Sequence, residues 1–462
     1  MPGFHIEHFG CRAARADGDA IAGHLRVFAE RQPFDFDVVV VNTCSVTAEA
    51  DRAARAFIRR VHRRNPAARI VVTGCYAQRA PQELAGMPGI AAVVGNSHKA
   101  LAPEIIFNLT HGTAASPPPS LVPVSSLLSA TAPHSAPIWA DDRFAHSFLE
   151  DAPLAQGTLT RPNLKIQEGC GNRCTFCVIP QTRGPSKSLP AAVVLRQVEE
   201  FVTAGGKELV LSGINLGRWG RDFSSGTRQK SLAGLVRDIF SQTALPRLRL
   251  SSIEPMDWDN ELIDLLRDFG GRRLARHAHL PLQSGSDAVL RRMHRRYRPW
   301  HYVDKVAALL SAAGPDLTLG TDVMIGFPGE TDGEFEETLS FVRTMPFGYL
   351  HLFPFSPRPG TAGWAFHAAS PVTAGVVEKR MAAIRALASE KTLAHRRRFV
   401  GRDLAAITLH TPEAIASLGR TSALSENFLP MSLDGHFKAN QLLEASVAGL
   451  HSDGSLIGFP SH

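Results

Sequence analysis

Six cysteines, none of them after residue 177, constrain this chain more than any other feature. They form two sets of three. Cys11, Cys44 and Cys75 are spread at intervals of 33 and 31 residues, whereas Cys170, Cys174 and Cys177 are packed into GCGNRCTFC. No apolar run approaches the ~18 residues of a membrane span. The start, MPGFHIEHFGC, lacks the basic-then-apolar layout of a signal peptide. Both features predict a cytoplasmic protein with no membrane partner, and in a reducing compartment such cysteines favour metal or cofactor chemistry over disulfides.

Each cysteine of the first set closes a short apolar or β-branched run: FHIEHFGC, VVVVNTC and RIVVTGC. Helical patterns follow the second and third runs, and a weaker one follows the first, near Ala20 to Ala29. Strand, crossover and strand repeated in this way predict a parallel sheet in an α/β domain over residues 1–112. Residues just past the carboxyl ends of parallel strands gather along one edge. The three cysteines are therefore expected to meet in space.

A chain of 462 residues is too long for one ordinary core. Residues 113–158 are rich in Pro, Ser and Ala and read as a linker, with no structure assigned to WADDRFAHSFLEDAPLAQG. Strands and helices alternate again over 159–395. LKIQEG, ELVLSG, RLRLSS, AHLPLQ, LTLGTDVMIG and YLHLFPF are the expected strands, with helices near 190–204, 259–269 and 331–344. Six such units predict a partial (β/α)6 barrel, with any site at the carboxyl ends of its strands. Residues 396–462 change period: LLEASVAGL alternates apolar and polar, and Asp453-Gly454 signals a hairpin, so a small antiparallel β module is expected. The fold class is α/β with that β appendage.

The second set, C-x3-C-x2-C, comes immediately after the first barrel strand. Three thiolates facing a four-iron cluster leave one iron open. A zinc site would want a fourth protein ligand.

With these residues in view, the central region resembles the radical S-adenosylmethionine (SAM) superfamily. The resemblance implies a 4Fe-4S cluster on Cys170, Cys174 and Cys177 whose open iron chelates SAM, and reductive cleavage of SAM to methionine and a 5′-deoxyadenosyl radical. It also implies cofactor contacts from Phe176, beside the adenine, from Ser212, Gly213 and Asn215 in LSGIN, and from Gly326 and Glu330 in MIGFPGE. FGC, VNTCSVT and VTGCYAQ resemble the amino-terminal domain of the methylthiotransferase branch, which implies an auxiliary 4Fe-4S cluster on Cys11, Cys44 and Cys75 that holds the sulfur to be transferred. One departure stands out, GCRAARAD where the family usually has GCKVNQ. The tail resembles a TRAM module through FVGR, GRTSALSENFLP and LLEASVAGL.

IPQTRGPSKS and LSGINLG are similar to the branch that acts on threonylcarbamoyladenosine in tRNA. This resemblance implies methylthiolation of carbon 2 of that nucleoside at position 37, in the anticodon stem-loop. The alternatives are isopentenyladenosine at the same position and an aspartate of a ribosomal protein; a non-catalytic iron–sulfur protein that binds RNA or senses redox state is a different class. An electron donor such as flavodoxin or ferredoxin is implied as a partner.

The net charge of +7 is compatible with RNA. Arg52, Arg55, Arg59 and Arg63 recur at helical spacing in one stripe, and RRMHRRYR supplies Arg291, Arg292, Arg295 and Arg296; both stretches are candidate phosphate contacts. The tail, in contrast, carries three cationic residues against six carboxylates over 399–462, which opposes a phosphate-dominated grip. His277 and His279 are read as core histidines with no catalytic role.

Overall fold

The computed structural model describes residues 3–25, 29–30, 37–110, 135–147, 160–223 and 231–461. The chain divides into two compact units, one of residues 1–155, 168–172 and 177–186, the other of residues 156–167, 173–176 and 187–462.

In the first unit, strands β1 (Gly3–His8), β2 (Ala29–Glu30), β3 (Val38–Thr43), β4 (Arg69–Gly74), β5 (Ile90–Gly95) and β6 (Ile138–Trp139) form one parallel sheet in the order β2-β1-β3-β4-β5-β6. The run VVVVNT of β3 is buried along its whole length, as a central parallel strand covered on both faces requires. Val39 and Val41 pack on one face with Ala54, Phe57, Ile58 and Val61 of the helix Ala48–Arg64. Val38 and Val40 pack on the other with Ile21, Leu25, Ile105 and Ile106. Thr47 caps the helix Ala48–Arg64 by accepting from the Ala50 N–H, with Glu49 and Asp51 in its first turn and His62, Arg63 and Arg64 in its last, matching the macrodipole.

Two local features differ from the sequence expectation. The first crossover helix is Arg12–His24, beginning directly after Cys11 rather than near Ala20. Its alanine-rich core face carries too weak a hydrophobic period to locate its start. Most of the stretch read as a linker lies outside the described residues, but its residues 135–147 extend the sheet. There Trp139 and Phe144 are buried and the Val93 N–H donates to Pro137 O.

In the second unit, β7 (Asn163–Glu168), β8 (Lys187–Ser188), β9 (Glu208–Gly213) and β10 (Arg247–Leu250) form a sheet in the order β10-β9-β7-β8. β11 (His277–His279), β12 (Thr318–Ile325) and β13 (Phe347–Pro354) form a parallel trio. The bridge Leu248↔Leu274 adjoins the two sheets, so the six expected strands run in sequence order around a partial barrel. Helices Ala191–Thr203, Asn260–Phe269 and Asp332–Thr344 lie where their patterns place them. The tail closes a small barrel of β14 (Asp403–Thr408), β15 (Arg420–Ser425), β16 (Pro430–Asp434), β17 (Leu442–Leu450) and β18 (Leu456–Pro460) around Phe399, Leu404, Leu433, Val447 and Leu456.

One tail carboxylate and one tail arginine pair with charges elsewhere in this unit. Glu426 accepts from the Arg276 N–H and from Arg276 Nε, and Asp316 in turn accepts both arms of Arg402 at 2.7 Å.

Candidate metal–sulfur centres

Cys11, Cys44 and Cys75 directly follow or closely trail the carboxyl ends of the neighbouring strands β1, β3 and β4. The register pairs His8 with Asn42, Asn42 with Thr73 and Thr43 with Gly74, so the three chain exits lie side by side. The Cys44 thiol is pushed up to about 12, first by burial and then by the Cys75 and Cys11 thiols nearby. A thiolate on either neighbour disfavours a second negative charge at Cys44. Gly74 makes the approach possible: its φ is +99°, and a Cβ there would lie 2.2 Å from Thr43 O.

Around Cys75 the chain has buried a set of charges. Arg183 Nε donates to Cys75 Sγ at 3.3 Å and Asn96 Nδ2 donates to it at 3.4 Å. Arg183 Nη1 also donates to Asp17 at 3.1 Å and Glu168 at 2.6 Å, and Lys99 Nζ donates to the same two carboxylates at 2.9 and 3.0 Å. Arg183 Nη2 is buried with no hydrogen-bond partner among the described residues. An orphaned cationic donor beside converging thiols fits an anionic sulfide-bearing group bound there, because sulfur in such clusters accepts hydrogen bonds.

Cys170, Cys174 and Cys177 all lie in the loop between β7 and the helix Ile179–Arg183, each half-buried. Gly169, at φ +70°, starts this loop; a Cβ would lie 2.0 Å from Pro185 O. The Asn172 N–H donates to Cys170 Sγ at 3.4 Å. Cys174 Sγ accepts from Arg295 Nη1 at 3.4 Å, while Arg295 also bonds Glu254 and Tyr297. Each cysteine set thus has a buried guanidinium against one sulfur.

A radical SAM superfamily model matches residues 164–342, and a model described as uncharacterized protein family UPF0004 matches residues 3–95. The threonylcarbamoyladenosine tRNA methylthiotransferase MtaB of Bacillus subtilis is 37% identical over 78% of this chain and 74% of its own length. The chain belongs to the radical SAM tRNA methylthiotransferase family. The Aquifex aeolicus protein of the same name is 31% identical over 96% of this chain and 99% of its own length. The tRNA-2-methylthio-N(6)-dimethylallyladenosine synthase of Lawsonia intracellularis is 32% identical over 79% and 78%. Among solved structures, the radical SAM methyltransferase TsrM of Kitasatospora setae matches with a TM-score of 0.52, at 15% identity over 76% of this chain and 74% of that one, a likeness of fold.

Family members use SAM and two 4Fe-4S clusters. The residues expected to contact SAM lie in the second unit. Phe176 packs against Val289, Met293, Met324 and Phe327, with Phe353 and Phe355 beside it. Ser212 is buried at the end of β9, donating to Leu164 O at 3.4 Å, and a Cβ on Gly213 would lie 2.9 Å from Gln167 Cβ. The buried Asn215 donates its backbone N–H to Gln167 Oε1 at 2.6 Å, so Gln167, which no motif singled out, fixes this turn. Glu330 accepts from the Gly326 N–H and from Arg380 Nη1, both at 2.9 Å, and its other oxygen, Oε1, is buried without a hydrogen-bond partner among the described residues.

The candidate RNA-contacting arginines separate by exposure. Arg52, Arg59 and Arg63 are exposed along the helix Ala48–Arg64, Arg52 paired to Glu49; Arg55 is half-buried, bonded to Tyr76 at 2.5 Å and Glu83 at 3.1 Å. Arg291 and Arg296 are exposed, and Arg292 forms a bidentate pair with Glu334 at 2.8 Å. Arg295 departs from the expectation. It is buried against Cys174, and the neighbouring Tyr297 is turned inward to Pro281 O and Leu282 O. Its place in an arginine-dense run suggested phosphate; packing directs its charge to sulfur.

Proposed function

We infer that this enzyme transfers a methylthio group to carbon 2 of N6-threonylcarbamoyladenosine at position 37 of tRNA. The observation that carries the reading is Arg183, whose motif TRGPSKS resembles the threonylcarbamoyl branch and whose guanidinium is buried against Cys75. The B. subtilis and A. aeolicus relatives bear that name. In this reading Cys11, Cys44 and Cys75 hold the auxiliary 4Fe-4S cluster, and Cys170, Cys174 and Cys177 hold the radical SAM cluster. When bound, these cofactors supply the deoxyadenosyl radical and the sulfur needed at an adenine carbon that acid–base chemistry alone cannot functionalise.

The chain's own residues orient and compensate. Arg183 and Asn96 donate to the buried Cys75 and Arg295 donates to the half-buried Cys174, which offsets thiolate charge at both. Gln167 and Glu330 brace the two turns that carry the candidate SAM contacts, Ser212, Gly213 and Asn215 in one and Gly326 in the other. Arg52, Arg59 and Arg63, with Arg291 and Arg296, offer exposed positive charge to the anticodon stem-loop. A flavodoxin- or ferredoxin-type donor supplies the electron, in the cytoplasm. Among the described residues no helix is long and apolar enough to cross a membrane.

The test is mass spectrometry of nucleosides from bulk tRNA of a strain lacking the gene, complemented with wild type or Cys174→Ala. Loss of methylthio-threonylcarbamoyladenosine, restored by wild type alone, is expected. Loss of methylthio-isopentenyladenosine instead would establish the second reading, which the L. intracellularis relative favours. An unchanged profile would redirect the search to ribosomal protein.

A further inference from the structure

Three adjacent strands of the second unit each direct one metal-ligating side chain to the same face. In the parallel trio β11-β12-β13, His279 lies opposite Gly320 and Asp322 lies opposite His351. Side chains alternate along a strand, so Asp322, two residues past Gly320, shares a face with both histidines. His279 Nε2 is 3.2 Å from Asp322 Oδ1, and His351 Nδ1 is 3.3 Å from that same oxygen. One ligand atom from each residue falls within 4.8 Å of the others.

The histidines on β11 differ. His277 Nε2 meets Tyr349 Oη at 2.8 Å and so faces away from the carboxylate's partners. His279 is 8% exposed, and among the described residues its Nε2 faces only the Asp322 carboxylate, 3.2 Å away, without the alignment of a good hydrogen bond. The Tyr349 ring lies parallel to its imidazole, at 7° and 5.9 Å. Gly320 leaves room for that ring, since a Cβ there would sit 2.0 Å from it. Stacking holds the His279 ring with its Nε2 toward the carboxylate.

We propose that His279, Asp322 and His351 form a binding site for a borderline divalent transition ion of the Zn²⁺ class. A tetrahedral ion with bonds of about 2.0–2.2 Å sets neighbouring ligand atoms about 3.3–3.5 Å apart, close to the two nitrogen–oxygen separations here. Two imidazoles and one carboxylate suit such an ion better than Mg²⁺ or Ca²⁺, which take oxygen ligands. Three protein ligands leave a fourth position open for water beside His351, whose side chain is 60% exposed. The ion ties β11, β12 and β13 together.

The test uses holoenzyme with its clusters reconstituted, dialysed against Zn²⁺ and read for zinc and iron by plasma mass spectrometry. His351→Ala removes an exposed ligand and is expected to leave the fold intact; Asp322→Asn removes the shared one. Wild type is expected to retain about one zinc per chain more than either variant, with iron equal in all three. Equal zinc in wild type and both variants, or none in any of them, would overturn the assignment.

Discussion

Arg183 Nε donates a hydrogen bond to Cys75 Sγ at 3.3 Å, although the two residues are 108 positions apart in the chain. Burial works against the guanidinium's charge, but Cys75, Glu168 and Asp17 outweigh it and hold Arg183 protonated. Lys99 is bonded to the same two carboxylates, so among the described residues two buried cations face two buried anions. The arginine thus serves the packing of the unit and the electrostatics of the sulfur site together.

Replacing Arg183 by Met takes one of two buried cations from Asp17 and Glu168, and removing one partner of a buried ion pair costs about 3–5 kcal/mol. Denaturant unfolding of the anaerobic holoenzyme should show that loss, with a smaller one in Arg183→Lys. The variant that lacks the charge and the N–H donor should also shift the auxiliary cluster to a more negative potential, followed by redox titration with electron paramagnetic resonance. A potential equal to wild type in both variants would remove Arg183 from the electronics of that site.

Reconstituted wild type should carry about eight irons per chain, and Cys44→Ala or Cys174→Ala about four each. The two losses are expected to be functionally distinct. Cys174→Ala should make no 5′-deoxyadenosine from SAM and reductant, whereas Cys44→Ala should still cleave SAM without methylthiolating tRNA. Four irons in wild type would leave no place for the auxiliary cluster.

Exposure, rather than arginine count, should govern RNA affinity. The triple variant Arg52→Gln, Arg59→Gln, Arg63→Gln should lower the slope of log affinity against log salt by roughly 2. Arg295→Lys should leave that slope unchanged, because the guanidinium is buried on Glu254 and Cys174. Electrophoretic mobility shift of an anticodon stem-loop at several salt concentrations gives both slopes.

Glu208 is buried among Arg161, Arg247 and Arg249. Burial alone would raise its pKa, but these arginines, Arg249 foremost, lower it to about 2. A carboxyl with a depressed folded pKa contributes stability above its unfolded value of 4.5, and that contribution is lost as pH falls toward 2. Glu208→Gln should destabilise by about 3–5 kcal/mol at neutral pH, since three guanidinium groups lose their shared anion. A melting temperature within a degree or so of wild type would contradict this.

His395 titrates with a similar direction for a different reason. Burial first, then Arg398 and Arg396, lower its pKa to about 4, while its Nε2 lies 2.9 Å from Thr318 Oγ1. Between the unfolded value of 6.5 and about 4 the unfolded chain binds a proton that the folded chain refuses. Stability should therefore fall as pH drops through that window, by at most about 3 kcal/mol at 1.36 kcal/mol per pKa unit. His395→Gln should flatten that part of the stability profile.

Much of the fold was legible because its signals are local. The buried run of β3, the six strands of the central region and the alternation of LLEASVAGL each follow from a period read over a few residues. The two cysteine triads were legible for the same reason, since thiol chemistry depends on residue type and the strand ends beside them are marked by pattern and glycine. Their partners were not. Lys99 and Asp17 lie 82 residues apart, and the motif around Arg183 marks a substrate branch without pointing to a thiol as its partner. Short, late contributions to a sheet were missed as well, because two residues of β6 carry no period.

By itself, then, the sequence determined where six thiols fall along the chain and at the ends of which strands, because thiols and strand periodicity are properties of short stretches. Tertiary structure alone decided where charge goes. It turned Arg295 inward to Cys174, set Arg183 on Cys75 and brought His279, Asp322 and His351 onto one face. Burial and pairing set the energy of a charge, and both depend on neighbours that only the folded chain supplies.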